Sequence, residues 1–105
     1  MTDKLLVLST TGSEVEAQKI AHALVERHLA ACVNIIPRIQ AVYRWQGKVE
    51  RSEEYLLLIK TAKARFDEVQ TAIAELHSYE LPECIAVSID GGSIEYLKWL
   101  SDSVA

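Results

Sequence analysis

A histidine and two glutamates lie within seven residues of one another in the second half of the chain. His77, Glu80 and Glu83 offer one imidazole nitrogen and two carboxylates, all of which are ligands of divalent ions. One hypothesis is therefore a surface metal site with His77 as the nitrogen ligand. The alternative is structural: His77 interacts with the last carbonyls of a helix, and Glu83 pairs with Lys60 or with an arginine of a neighbouring subunit. The spacing matches no zinc signature.

A second candidate site is the segment Thr10-Thr11-Gly12-Ser13, which precedes a predicted helix. Hydroxyls and free backbone N–H groups at a helix N-terminus can hold an anion. The alternative is ordinary capping of the helix by Ser13. The chain has no glycine-rich phosphate loop and no P-loop lysine.

Two isolated cysteines, Cys32 and Cys84, are a third candidate, as thiolate ligands of a metal. Each begins a predicted strand beside apolar residues, which favours buried and unreactive thiols instead. No Ser-His-Asp or Cys-His arrangement is visible in the sequence. We therefore do not expect an enzyme.

The composition restricts the class of protein. The 105 residues predict a single domain, 1–105, and 50% hydrophobic with 25% charged residues predicts an ordinary globule. The net charge of -4 makes nucleic acid and anionic membranes poor partners. No apolar run reaches the roughly 18 residues of a membrane span. The first four residues lack a basic signal-peptide start, so we expect a cytoplasmic location.

Hydrophobic spacing predicts the elements that must position these residues. Leu5–Leu8 is a short apolar run, typical of a strand buried on both faces, and Ser13 stands three residues before Glu16, a capping-box pattern. Period-two alternation predicts two long strands, and Pro37 should lie at an edge or a bulge. The order is β-α-β-β-α-β plus a helix, an α+β ferredoxin-like fold with a long hairpin of the second and third strands. The predicted strands are 5–8, 33–45, 49–61 and 84–89. The predicted helices are 14–27, 66–77 and a short last helix that Ser93 can cap.

The long hairpin has a consequence for assembly. A thirteen-residue strand extends about 40 Å, whereas a globule of this length is about 35 Å across. Either the hairpin projects and is covered by further copies of the chain, or it is bulged and folds back on its own sheet. We predict a homo-oligomer whose interface includes the aromatic tip and charged residues that set the register: Arg38, Tyr43, Arg44, Trp45, Glu50 and Glu54.

Five segments, spread over nearly the whole chain, carry a resemblance to a known family. They are Leu29–Pro37, Tyr43–Glu50, Ile59–Thr61, His77–Glu83 and Tyr96–Leu100. In this order they resemble the CutA family of divalent-cation-tolerance proteins. The resemblance implies a ferredoxin-like fold assembled as a tight homotrimer, similar in architecture to the PII signalling proteins. It also implies a role in divalent-metal tolerance, without established enzymatic activity.

The resemblance further implies that copper is the candidate metal, with no obligatory cofactor. Copper-binding members carry a cysteine at the end of the first strand and a His-His pair at the end of the second helix. The matching positions here are Ser9 and Leu76-His77, so only His77 remains. A serine hydroxyl is a poorer copper ligand than a thiolate.

Two further functions stay open. A PII-like sensor would bind a small molecule in clefts between subunits, at Ser9, Thr10, Thr11 and Lys60. A scaffold would bind another protein. The aromatic signature of RNA-binding proteins with this topology is absent from the sequence.

Overall fold

The computed structural model describes residues 2–105, and these form a four-stranded antiparallel sheet and helices in the predicted order. The elements are β1 (Lys4–Thr11), α1 (Glu14–Glu26), β2 (Cys32–Trp45), β3 (Lys48–Ala62), a 3-10 turn (Lys63–Arg65), α2 (Phe66–Leu76), β4 (Ile85–Ser88) and α3 (Ile94–Ser103). The strand order is β2-β3-β1-β4, so the predicted α+β ferredoxin-like fold is confirmed.

The hydrophobic core lies between one face of the sheet and the helices α1 and α2. Alternate residues of β1 and β3 point to this face, and the helices contribute side chains spaced three and four residues apart. Each fully buried aliphatic side chain contributes about 1.5–3 kcal/mol of transfer free energy. The central members are Val7, Leu57, Ile59, Ile20, Leu24, Val69 and Ile73.

The opposite face of the sheet is only partly covered. Leu6 and Leu8 point to it and are half-buried, so the prediction that Leu5–Leu8 is buried on both faces is wrong for this chain alone. The reason is that α1 and α2 pack on the same side. Leu56 and Leu58 of β3 continue this open face, opposite Thr10 and Leu8.

The hairpin of β2 and β3 extends well beyond the rest of the sheet. Residues Leu56–Lys60 of β3 pair with both β1 and β2, and Tyr55, Thr61 and Ala62 pair with β1 alone. Residues Lys48–Glu54 pair with β2 alone. The chain measures 44 × 25 × 22 Å, consistent with a projecting ribbon rather than one folded back on its own sheet. At the tip, Gln46 (φ 49°) and Gly47 (φ 80°) form a two-residue turn with both φ values positive.

A bulge interrupts β2. Ile36 is opposite Leu56 and Ile39 is opposite Glu54, so Pro37 and Arg38 together face the single residue Tyr55. Arg38 has a left-handed backbone (φ 57°). Pro37 thus lies both in a bulge and on an edge strand, as predicted. The alternation of the sequence is therefore not one continuous pattern: the residues of β2 exchange faces at this point.

Capping differs from the predicted pattern at one residue. Ser13 accepts the backbone N–H of Glu16 (3.1 Å), so Ser13 caps α1 as predicted. The Glu16 carboxylate instead accepts hydrogen bonds from Thr11 and Ser78, which draws it away from the capping box. Ser93 caps α3 by accepting the Tyr96 N–H, also as predicted. No helix in the described part of the chain is long and apolar enough to cross a membrane.

Candidate functional site

A cavity of about 650 Å³ lies between the outer half of the hairpin and the loop that follows α2. Its walls combine aromatic, aliphatic and acidic side chains. The lining residues are Thr10, Ala41, Val42, Tyr43, Trp45, Glu54, Ser78, Tyr79, Glu80, Leu81 and Glu83. Volume and composition fall within the range of small-molecule pockets.

The bulge in β2 brings the aromatic residues to this cavity. Residues directly opposite in an antiparallel pair share a face of the sheet. Beyond the bulge, Ile39 is opposite Glu54 and Tyr43 is opposite Glu50, so Tyr43 and Trp45 share the face of Glu54. Without the extra residue they would point to the other face.

Glu54 is the most buried acidic residue of the cavity, at 6% exposure. Its Oε2 accepts a hydrogen bond from the Tyr79 hydroxyl (2.7 Å). Burial and then the nearby Glu54 carboxylate raise the pKa of Tyr79 well above its usual value, so the hydroxyl remains a donor. Gly12 makes room for this contact, because a Cβ at Gly12 would be 3.0 Å from the Tyr79 oxygen.

His77 lies behind the cavity, not among the residues that line it. Its side chain is fully buried, and both ring nitrogens are engaged. Nε2 donates to the Thr10 carbonyl (2.6 Å), and Nδ1 accepts the Tyr79 N–H (3.0 Å). Since a carbonyl can only accept and an N–H can only donate, these bonds specify the Nε2–H tautomer. His77 therefore orients the loop and presents no free ring nitrogen in this arrangement.

Glu16, on α1, also holds the loop that follows α2 in place. It accepts hydrogen bonds from the Thr11 hydroxyl (2.6 Å) and the Ser78 N–H (3.1 Å), and one oxygen is 3.3 Å from Nδ1 of His77. Burial acts to raise the pKa of Glu16, but these hydrogen bonds outweigh it and lower the pKa. The loop entering the cavity is thus tied to β1 and α1.

Glu80 and Glu83 line the cavity together with Glu54. Burial, and then the charge of Glu54, raise the pKa of Glu83. Of the three residues predicted as metal ligands, the structure brings Glu80 and Glu83 to one cavity and places His77 outside it. Within residues 2–105, no group of three or more His, Cys, Asp and Glu side chains is close enough to hold a metal ion. The metal site stays a prediction.

The residues predicted to form a ligand cleft lie on different faces of the sheet. The side chains of Ser9 and Thr11 are buried on the helix-covered face, and Thr10 lines the cavity. Lys60 is on the open face, with its ammonium 5.9 Å from the centre of the Tyr96 ring. A single chain therefore does not assemble these four residues into one cleft.

The other predicted residues are placed as follows. Cys84 is half-buried against the core, and burial followed by the charge of Glu83 raises its pKa, as expected for an unreactive thiol. Cys32 is also free and half-buried. Of the predicted interface residues, Glu54 is buried within its own chain, whereas the others are exposed: Arg38, Tyr43, Arg44, Trp45 and Glu50.

Sequence reasoning missed the contact between Tyr79 and Glu54, and with it the role of Gly12. The two bonded residues are 25 positions apart, and no local pattern links them. One local signal pointed to Tyr79 itself, because it lies two residues after His77. In the structure the centroids of these two rings are 4.6 Å apart.

Comparison with known proteins gives the family. The family model described as CutA1 divalent ion tolerance protein matches residues 5–103. The "Divalent-cation tolerance protein CutA" of Thermus thermophilus is 47% identical over 98 residues, which cover 93% of this chain and 95% of that protein. "Protein CutA, chloroplastic" of Arabidopsis thaliana is 41% identical over 94% of this chain, but the match spans only 54% of the plant protein.

Solved structures agree with this assignment. The crystal structure of CutA from Xylella fastidiosa superimposes with a TM-score of 0.97 at 40% identity, covering 99% of this chain and 100% of that one. The family model and these relatives span almost all of the fold described above, including the hairpin and the loop after α2. The chain belongs to the CutA1 family of divalent ion tolerance proteins.

Proposed function

We propose that this protein acts as a homotrimer that binds a divalent cation, with copper as the candidate, and that it contributes to metal tolerance by binding rather than by catalysis. Family membership supports the general role, since the Thermus thermophilus relative is named for divalent-cation tolerance. The acidic cavity supports binding as the mode of action. We further propose a cytoplasmic location.

The open face of the sheet supports self-association. Leu6, Leu8 and Leu58 form a half-buried aliphatic surface there, and Ile85 and Val87 of β4 extend it to the sheet edge, where both are about half exposed. An apolar surface of this kind usually marks an interface. A second and third copy of the chain would cover it in a closed ring.

The projecting hairpin supports the same assembly. Val42 is 67% exposed and Val49 64%, on a two-stranded ribbon that its own chain leaves uncovered. Isolated two-stranded ribbons are marginally stable in water. Packing against a neighbouring copy would supply the missing contacts.

Sedimentation velocity over a wide range of protein concentration tests the assembly. We expect a trimer for the parent protein and dissociation for Trp45→Ala, with Val15→Ala on the exposed side of α1 as the matched control. A parent protein that sediments as a monomer at every concentration would refute the homotrimer.

The carboxylates of the cavity support a cation site. Glu80 and Glu83 are proposed as ligands, and they favour ions that accept oxygen ligands. His77 would supply a nitrogen only after its bond from the Tyr79 N–H breaks, because both ring nitrogens are engaged in the structure. With serine at position 9, no thiolate is available from the end of β1.

Isothermal titration with Cu²⁺ and Zn²⁺ tests the cation site. Replacing Glu83 by glutamine should weaken binding by about tenfold or more, since a charged ligand is lost. Glu95→Gln, at the exposed start of α3, is the matched control. Identical isotherms for Glu83→Gln and the parent would exclude Glu83, and an unchanged isotherm for His77→Ala would exclude His77 as a ligand.

A further inference from the structure

Glu54 is a buried carboxylate without a countercharge among the residues that the structure describes. It is 6% exposed, and its Oε2 accepts a hydrogen bond from the Tyr79 hydroxyl. No ion pair within residues 2–105 involves it. Burying an ionised carboxylate is costly unless a cation or several donors compensate it.

The cavity supplies no cation of its own. Its lining contains no lysine, arginine or histidine among the described residues, while Glu80 and Glu83 add further negative charge. Burial and the charge of Glu54 also disfavour ionisation of Glu83. A positive group that relieves this repulsion has to come from outside the described residues that line the cavity.

The walls indicate what kind of cation fits. Tyr43, Trp45 and Tyr79 present aromatic rings, and Ala41 and Leu81 add aliphatic surface. Aromatic faces attract alkylammonium groups through cation–π interactions, and aliphatic walls accommodate their methylene chains. A bare or hydrated metal ion gains little from either surface.

The size of the cavity also favours an organic cation over a metal ion. The cavity of about 650 Å³ is far larger than a single metal ion needs and falls in the range of small-molecule sites. In addition, no cluster of three or more metal-binding side chains is found in the part of the chain that the structure describes.

We propose that this cavity binds a linear alkyl diamine or triamine, with one ammonium group on the Glu54 carboxylate, the methylene chain along Tyr43 and Trp45, and a second ammonium at Glu80 and Glu83. The several carboxylates of the cavity match a ligand that carries two or more positive charges. Because Glu80 and Glu83 are also the carboxylates proposed above as cation ligands, the diamine and a divalent metal ion would compete for this end of the cavity.

The test follows the fluorescence of Trp45 as 1,4-diaminobutane is added at low ionic strength, where charge pairing is least screened. The measurement uses a Trp99→Phe background, since Trp99 lies on α3 and outside the cavity and is the second tryptophan of the chain. We expect a saturable change, and none with 1,4-butanediol, which has similar length but no charge.

Two variants assign the effect to the cavity. Replacing Glu54 by glutamine should weaken diamine binding by about tenfold or more, whereas Glu53→Gln, on the adjacent exposed position of β3, should leave it within about twofold. Tyr43→Leu, at a position that is exposed in the single chain, should weaken binding by about three- to tenfold through loss of the aromatic face. Because Tyr43 is also a predicted interface residue, sedimentation velocity must show that this variant assembles like the parent. This variant keeps the test valid if Glu54→Gln fails to fold.

Three results would overturn the proposal. The first is no saturable change with diamine, and the second is equal binding by Glu54→Gln and the parent. The third is that diamine fails to bind the assembled protein while Glu54→Gln dissociates it, which would assign the cavity to a basic side chain of another copy. In each case, binding of Zn²⁺ that depends on Glu83 would leave the proposed metal function intact.

Discussion

The two halves of β3 share the same pairing partner, β2, but differ in everything that surrounds them. Residues Tyr55–Ala62 are also paired with β1 and packed under α1 and α2, and Leu57 and Ile59 are fully buried. Residues Lys48–Glu54 have β2 alone, and most of them are exposed. The difference shows that strand pairing specifies the conformation of both halves, whereas only the inner half also packs under the helices of its own chain.

The largest expected effect comes from the inner half. Ile59→Ala removes a fully buried side chain and should lower the free energy of unfolding by about 3 kcal/mol, through lost burial and the cavity left behind. The matched change in the outer half, Val49→Ala, should cost less than about 0.5 kcal/mol in the isolated chain. Urea unfolding monitored by circular dichroism measures both.

This pair of variants also probes the assembly. If neighbouring copies cover the hairpin, the cost of Val49→Ala should rise and depend on protein concentration. Equal losses for the two variants at every concentration would remove the distinction between the inner and outer halves.

The next effect concerns the boundary between the halves, where Glu54 meets Tyr79. Tyr79→Phe removes the hydroxyl that donates to the buried carboxylate and should cost about 1–3 kcal/mol. Thermal unfolding followed by calorimetry measures it, with Tyr96→Phe on α3 as the control. A variant as stable as the parent would mean that the hydrogen bond does not stabilise Glu54.

A smaller effect is expected at the tip of the hairpin. Gly47 has a φ of 80° and no neighbouring atoms within 4 Å of a Cβ built there, so Gly47→Ala introduces conformational strain without a clash. The cost should be about 1 kcal/mol. Hydrogen exchange should speed up for the amides of residues 43–50 and stay unchanged for residues 55–62. Uniform acceleration would show that the two halves unfold together.

The smallest effect is a difference in pH dependence at Glu16. Its pKa in the folded chain lies below the ordinary value of 4.5, so its contribution to stability is present above that pH and is lost as the pH falls through the folded pKa. Glu16→Gln should therefore be less stable than the parent at neutral pH, and the gap should close in acid. Urea unfolding between pH 3 and about pH 7 measures the gap. A gap that is constant with pH would contradict this assignment.

The sequence predicted the elements because their signals are local. Apolar spacing in α1, the capping serines Ser13 and Ser93, and alternation in the two long strands agree with the structure to within a few residues. The open face was mistaken for a buried one because an unbroken apolar run does not reveal which neighbour covers it.

The candidate site was less predictable, since its contacts join distant parts of the chain. Glu80 and Glu83 were found from their proximity in sequence, and Tyr43 and Trp45 from the hairpin tip. The burial of Glu54 required the fold, as did the engagement of both nitrogens of His77. The sequence pattern of a histidine near two glutamates is the same whether the imidazole binds a metal ion or hydrogen-bonds to backbone groups.

Because Pro37 and Arg38 together face one residue of β3, the number of residues in this part of β2 decides which face the outer hairpin's side chains occupy. Their identity matters less. Deleting one residue there would restore an uninterrupted ladder and rotate both aromatic rings away from the acidic pocket, with no change in their sequence. A loop would tolerate such a deletion. In this ribbon, we expect a single-residue deletion to abolish the proposed diamine binding while the inner sheet still folds.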